Sequence, residues 1–330
     1  MAATPSPMMC PLGSCWLSLA SKGGIPIFYP GEIHIREVSP RDGLQSEPTI
    51  VSTDDKVHLV ELLVAANLKH INVTSFVSPK AVPQTADAAE VMARVPRVPG
   101  VKYDATVPNL VGANRAIDAG VDEVTVFVSA SDGGSRSNVG RSTGEALAQA
   151  LQVVRRAREV GIGVVATIAN AFGSAYEGAI PDDRILDLAR RFRDGGATHV
   201  ALGDTSGEGT PRQVADLVIR FGQELPDITL SLHLHDTRGY ALANVLAALD
   251  AGATHFDGAV GGIGGSPFTR NAAGNLPTED LVHLCDECGI ATGVNLAGLF
   301  AVYSFLAGIL GHDLPGRLGA VGPTKTAQPA

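Results

Sequence analysis

The chain has 330 residues, room for one large domain or two ordinary ones around a substantial core. Its net charge of -9, with lysine and arginine scattered along the chain, leaves no basic footprint for nucleic acid or an anionic membrane surface. Hydrophobic residues make up 45% of the chain, yet charge, glycine or proline interrupts every apolar run before the roughly 20 residues of a membrane span. A protein acting on small molecules is expected, with neither nucleic acid nor membrane as a partner.

Residues 1–30, MAATPSPMMCPLGSCWLSLASKGGIPIFYP, lack the positive start and cleavage site of a secretory signal and the arginines of a mitochondrial presequence. They read as a poorly ordered extension ahead of a single domain spanning 31–330. From there one rhythm repeats. Short β-branched or apolar runs stand at 32–39 (EIHIREVS), 70–76 (HINVTSF), 101–107 (VKYDATV), 123–130 (EVTVFVSA), 163–170 (GVVATIAN), 199–204 (HVALGD), 229–235 (TLSLHLH) and 255–262 (HFDGAVGG). Stretches with helical spacing lie between them, such as TDDKVHLVELLVAANL and PRQVADLVIRFGQEL. Eight βα units predict parallel strands closed into a TIM (β/α)8 barrel. A doubly wound open sheet is the competing fold, disfavoured because no G-x-G-x-x-G turn follows the first strand. The apolar segment NLAGLFAVYSFLAGILG from Asn295 predicts extra C-terminal helices that cover the barrel or serve a homodimer or larger homo-oligomer.

Four cysteines, at 10, 15, 285 and 288, are too few and too uneven for a disulfide scaffold, which makes a reducing cytoplasm the default location. The pair Cys285 and Cys288 lies in EDLVHLCDECGIATG, which reads as the end of an amphipathic helix closed by Gly289. A structural zinc site usually needs four ligands, and no second pair lies nearby.

A barrel should collect its chemistry just after the strands, at the C-terminal mouth. Arg41 and Asp42 follow the first strand, Ser75 the second, Asn170 the fifth and Asp204 the sixth. His233 and His235 end the seventh, and the glycine-rich GGIGGSPFTRNAAGN, closing with Asn275, follows the eighth. A strand has a side-chain period of two, so His233 and His235 share a face. With Asp42 they form a set of hard-to-borderline ligands for a divalent cation, and the amide oxygen of Asn275 can fill another position. Mostly N/O ligands with open positions favour Mg2+ or Mn2+; zinc with a bound hydroxide is the alternative. A lone histidine in a strand is more often a hydrogen-bonded core residue, and His34, His58, His70, His199, His255, His283 and His312 are read that way. Asp236 is also a simple candidate for capping the following helix.

The segments VSPRDGLQSEPTIVSTDDKV, TSFVSPKAVPQTAD, ALGDTSGEGTP, LHLHDTRGYALAN and GNLPTEDLVHLCDECGIATGVNL together resemble the 3-hydroxy-3-methylglutaryl-CoA (HMG-CoA) lyase family. The resemblance runs from about Ile33 to Asn295. It implies a metal held by Asp42, His233, His235 and Asn275, and retro-Claisen cleavage of an acyl-CoA substrate to acetoacetate and the enolate of acetyl-CoA. It also implies that Arg41 faces the thioester enolate, that Asp204 lies near the reacting hydroxyl, and that His233 is a catalytic residue as well as a metal ligand. Asn138, with Arg136 and Arg141 in the loop SRSNVGRST, falls near the coenzyme. Ser75 is a candidate substrate contact, and the glycine-rich loop is expected to act as a lid that excludes water. Two departures stand out. Ser266 occupies the position of the family's proton-delivering cysteine, and Asn72 that of a glutamate near the metal. They leave open a related substrate such as citramalyl-CoA, or a catalytically impaired homologue that binds metal and acyl-CoA.

Overall fold

The computed structural model describes residues 16–19, 27–265 and 274–322. In chain order its barrel elements are β1 (His34–Glu37), α1 (Thr53–Ala65), β2 (His70–Ser75), α2 (Ala88–Arg94), β3 (Lys102–Thr106), α3 (Leu110–Asp118), β4 (Glu123–Ser129), α4 (Asp132–Val139) and α5 (Thr143–Val160). They continue as β5 (Gly163–Ala169), α6 (Asp182–Gly195), β6 (His199–Gly203), α7 (Pro211–Glu224), β7 (Thr229–His233), α8 (Ala241–Asp250), β8 (His255–Gly258) and α9 (Thr278–Glu287). The eight strands pair in parallel and close, β8 bonding to both β7 and β1. The expected TIM barrel is the observed fold. Ahead of it, Trp16–Leu19 pairs antiparallel with Ile27–Pro30, inside the stretch read as an extension.

The hydrogen-bonded strands are shorter than the apolar runs that announce them. β7 stops at His233 and β8 at Gly258, because the chain beyond each turns to build the mouth. His235 leaves β7 to form an isolated antiparallel bridge with Asn275, and Ala259 bridges Pro277. After β1, Ser39–Gly43 winds into a π-helical turn in which the N–H groups of Arg41, Asp42 and Gly43 all donate to the Val38 carbonyl, at 3.2, 2.8 and 3.1 Å.

The segment SRSNVGRST is not the loop expected from its polarity. Ser131 caps α4 by accepting from the Gly134 N–H, and Gly140 closes the helix in the left-handed conformation at φ 69°, so residues 132–139 are helical. Beyond the barrel, α10 (Leu296–Leu310) and α11 (Arg317–Val321) follow. α10 buries Leu299, Val302, Leu306 and Leu310 and packs against α1 and α9 on the outer layer. No described helix is long and apolar enough to cross a membrane.

Candidate metal centre

Three elements deliver one cluster to the C-terminal mouth. The π-helical turn presents Asp42, the end of β7 presents His233, and the bridge to Asn275 fixes His235. His233 Nε2 lies 3.2 Å from His235 Nε2 and 3.8 Å from Asp42 Oδ2. Two nitrogens bound to one cation at about 2.1 Å and near a right angle are about 3 Å apart, the spacing of the two imidazoles. The Asn275 amide donates to Asp42 Oδ2 at 2.9 Å and to the Ile263 carbonyl at 3.0 Å, while its buried Oδ1 has no hydrogen-bond partner. That buried acceptor fits a ligand position beside the other three residues. Among the described residues, Asp42, His233 and His235 are the one group of three suited to a metal ion, so the chain carries a candidate divalent-cation site.

The electrostatics suit the same purpose. Burial pushes the His235 imidazole down to about 4, helped by His233 and opposed by Asp42, so the ring is neutral at physiological pH with a lone pair to offer. Burial alone would raise the Asp42 carboxyl, but Arg41, His233, His235 and the Asn275 hydrogen bond outweigh it and hold the group well below the usual carboxylate range. The cluster is therefore a carboxylate with unprotonated nitrogen. Gly264 comes close to it with φ at 95°, and a Cβ there would meet Asn275 Nδ2 at 2.5 Å and the Asp42 carbonyl at 2.8 Å.

Beneath the cluster lies a layer of buried charge that sequence reading passed over. His233 Nδ1 is 3.1 Å from Asp257 Oδ2, and the same oxygen accepts from Arg36 Nη1 at 3.0 Å. Asp257 thus places the proton on Nδ1 and turns Nε2 toward the metal position. Arg36 also forks onto Asp104, with Nε and Nη2 each at 2.9 Å. The register explains the assembly, since Asp257 on β8 pairs with both Arg36 on β1 and His233 on β7. A charge at mid-strand in HIRE, KYDAT and HFDG was the available signal.

Arg41 forms an ion pair with Asp42 and none with Asp204 or Glu37. Its Nη1 donates to Asp42 Oδ1 at 2.7 Å and its Nε to the Asn72 side-chain oxygen Oδ1 at 2.7 Å. The Asn72 amide in turn donates to Asp104. Asn72 therefore anchors the guanidinium without cancelling its charge. Glu37 accepts from Ser39 N–H, Val260 N–H and Thr278 Oγ1, tying the ends of β1 and β8 to α9.

Asp204 is buried at the end of β6, where its N–H donates to the His233 carbonyl at 2.9 Å. It accepts from the Glu208 and Gly209 N–H groups, so it does cap its own turn, yet burial raises it to about 6, into the range of a working base. Asn138 and Asn170 line one small rim cavity of about 50 Å3 with Tyr176 and Thr205. Ser75 is buried, its hydroxyl 3.0 Å from that of Thr85, and it is not brought to the cluster by any contact. Asp236 is not the N-cap of α8, which is Tyr240, but its carboxylate accepts from the Ala241 N–H at the first turn of that helix. Cys285 is buried in α9 with its thiol pushed up to about 12 by burial, an inert helix residue. Ser266 lies outside the described residues.

Comparison with known proteins agrees with this arrangement. The HMGL-like family model matches residues 32–306. Hydroxymethylglutaryl-CoA lyase YngG of Bacillus subtilis is 38% identical over 88% of this chain and 97% of its own length. The human mitochondrial hydroxymethylglutaryl-CoA lyase is 41% identical over 88% of this chain and 89% of its own. The crystal structure of the B. subtilis HMG-CoA lyase superposes with a TM-score of 0.87 at 38% identity, covering 89% of this chain and 98% of that one. An Acinetobacter baumannii HMG-CoA lyase in complex with coenzyme A and 3-methylmalate gives 0.86 at 38% identity, covering 91% and 98%. The barrel, the ligand cluster at its mouth and these matches along nearly the whole described chain place the protein in the HMGL-like family of carbon-carbon lyases.

Proposed function

We propose that the protein is a metal-dependent lyase that cleaves HMG-CoA, or a close 3-hydroxyacyl-CoA such as citramalyl-CoA, to acetyl-CoA and a keto acid, acetoacetate in the first case. The observation that carries this reading is the convergence of Asp42, His233, His235 and the unpartnered Asn275 oxygen beside an anchored Arg41. A divalent cation held by these four residues, Mg2+ or Mn2+ on their mostly N/O character, supplies Lewis acidity to the substrate hydroxyl.

The remaining work belongs to side chains of this chain. Asp204 takes the hydroxyl proton, and His233, held by Asp257 through Nδ1, serves the same step by keeping Nε2 toward the cation that would polarise that hydroxyl. The carbon-carbon bond then breaks, its electrons passing to the thioester fragment, and the hydroxyl carbon becomes a ketone. Arg41 stabilises the resulting enolate: Asp42 and Asn72 occupy Nη1 and Nε, which leaves Nη2 as a donor. Ser266 relays a proton to the enolate carbon. A hydroxyl is a weaker acid than a thiol, and that relay is correspondingly slower. Asn138 and Ser75 contribute to the acyl-CoA site. We place the enzyme in the cytoplasm, in keeping with its few cysteines, and read it as a homo-oligomer.

The test is incubation of the purified protein with Mg2+ or Mn2+ and a panel of 3-hydroxyacyl-CoA esters, with products identified by mass spectrometry. Acetyl-CoA together with a keto acid is expected from HMG-CoA or a neighbour in the panel. No product from any ester while metal is bound would overturn the lyase reading, and a free acid with intact carbon skeleton would mark a hydrolase.

A further inference from the structure

The opposite mouth of the barrel holds a cavity of about 400 Å3, far above the ~15 Å3 a single water needs. The first residue of every barrel strand lines it. This end of a (β/α)8 barrel is ordinarily filled by packed apolar side chains. Here four of the eight positions are histidines, His34, His70, His199 and His255, and two more are Lys102 and Glu123. In a chain of net charge -9, four of the nine histidines gather at one opening.

The bonds already made by its lining residues decide what the cavity offers a solute. Its acids are committed: Glu123 lies 2.6 Å from Lys102 Nζ and 3.2 Å from His70 Nε2, and the deeper Asp104 is held by Arg36 and by His70 at 3.0 Å. Its donors are not. The Lys69 side chain at the rim and both ring nitrogens of His34 make no hydrogen bond or ion pair among the described residues. His255 spends Nδ1 on Thr254 Oγ1 at 2.9 Å, and His199 spends Nε2 on Ser231 Oγ at 2.8 Å, each leaving one ring nitrogen. The rings of His34 and His255, register partners on β1 and β8, stand 4.5 Å apart.

We propose that this N-terminal mouth is a binding site for a small polyvalent oxyanion, inorganic phosphate or a short dicarboxylate, held by Lys69, His34 and His255. The local field agrees. His255 is pushed down to about 4, first by burial and then by His34, His70 and Lys102, with Asp257 the opposing charge. His199 is pushed down to about 3 by burial, then by Arg36, with His70 and His255 adding to it and Asp257 again opposed. A bound anion relieves this repulsion and lets imidazoles take up protons, so binding tightens as pH falls. The inference does not rest on the lyase reading, and its test involves no turnover.

The experiment titrates the full-length, metal-free protein with inorganic phosphate and separately with succinate, following the imidazole C–H resonances by NMR. Saturable shifts of His34 and His255 are expected with at least one anion, tighter near pH 6 than near pH 8, and Lys69→Ala should weaken them about tenfold. Response to phosphate alone assigns a phosphate site, and response to succinate alone a dicarboxylate site. The Lys69 side chain is exposed and takes no part in the bond network of the core, so its replacement leaves the fold intact; His34→Gln gives a second, independent loss of affinity. Shifts confined to His233 and His235, shifts unchanged in both variants, or no saturable shift with either anion would overturn the proposal.

Discussion

At the scale of single residues, the cluster divides its labour by environment. Asp42 is held ionised and His235 neutral, so both are ready ligands at neutral pH. Asp42→Ala or His233→Ala should lower Mn2+ affinity by about 100-fold or more, beyond the loss typical of removing a residue that only orients a ligand. Isothermal titration calorimetry on the folded variants checks this, and unchanged affinity would remove those residues from the site. Asp204 gives a pH prediction. With its carboxyl raised to about 6, the log kcat/KM profile should rise with pH to a limb near that value, and Asp204→Asn should abolish the limb along with most activity. The stability sign runs the other way: a carboxyl whose folded value exceeds its unfolded value binds more protons when folded, so its contribution falls as pH rises from about 4 through about 6. Asp204→Asn should flatten that decline in urea melts. Ser266→Cys should raise turnover several-fold if proton delivery to the enolate limits the rate; equal rates at equal metal content would assign that step to another group.

At the scale of elements, the site depends on short irregular pieces where strands end. The His235–Asn275 bridge and the left-handed Gly264 hold one side, and the π-helical turn holds the other. Gly264→Ala must force a Cβ toward Asn275 Nδ2 and the Asp42 carbonyl at a backbone angle that disfavours side chains. We expect a loss of about 1–3 kcal/mol in urea unfolding and weaker cation binding than in the parent. A variant with lower stability but parental Mn2+ affinity would show that the ligand geometry does not depend on this approach. These pieces mark the boundary of what sequence reveals. Period-two runs located all eight strands, and the spacing of His233 and His235 put them on one face. The runs did not show where hydrogen bonding stops, since β7 yields to a bridge whose partner lies 40 residues further on. The helix at 132–139 was hidden for another reason: its capping serine and closing glycine are also the composition of a loop.

At the scale of the whole molecule, a buried ionic layer crosses the barrel interior and supports the metal centre from below. Arg36 on β1 joins Asp104 on β3 and Asp257 on β8, and Asp257 orients His233. Its members were visible only as isolated charges in apolar strands, because register across the closed barrel, a long-range property, brings them together. Arg36→Met keeps much of the volume and removes the central charge, leaving two buried carboxylates without their guanidinium. A loss of about 3–5 kcal/mol is expected near pH 7, the cost of breaking a buried pair from one side. Arg36 holds the carboxyls of Asp104 and Asp257 below their ordinary range against burial, which alone would raise both. Stability from such lowered groups is present above the unfolded value near 3.9 and disappears as pH falls through the folded values. The gap between parent and variant should therefore be widest near neutrality and narrow toward and below about pH 4, as the variant's carboxyls, raised by burial without Arg36, and those of the unfolded chain take up protons. Urea unfolding across that range, with Mn2+ affinity measured alongside, separates the causes. A gap that stays constant into acid would assign the loss to packing, whereas a narrowing gap with weakened cation binding would tie the ionic layer to both the fold and the ligand geometry above it.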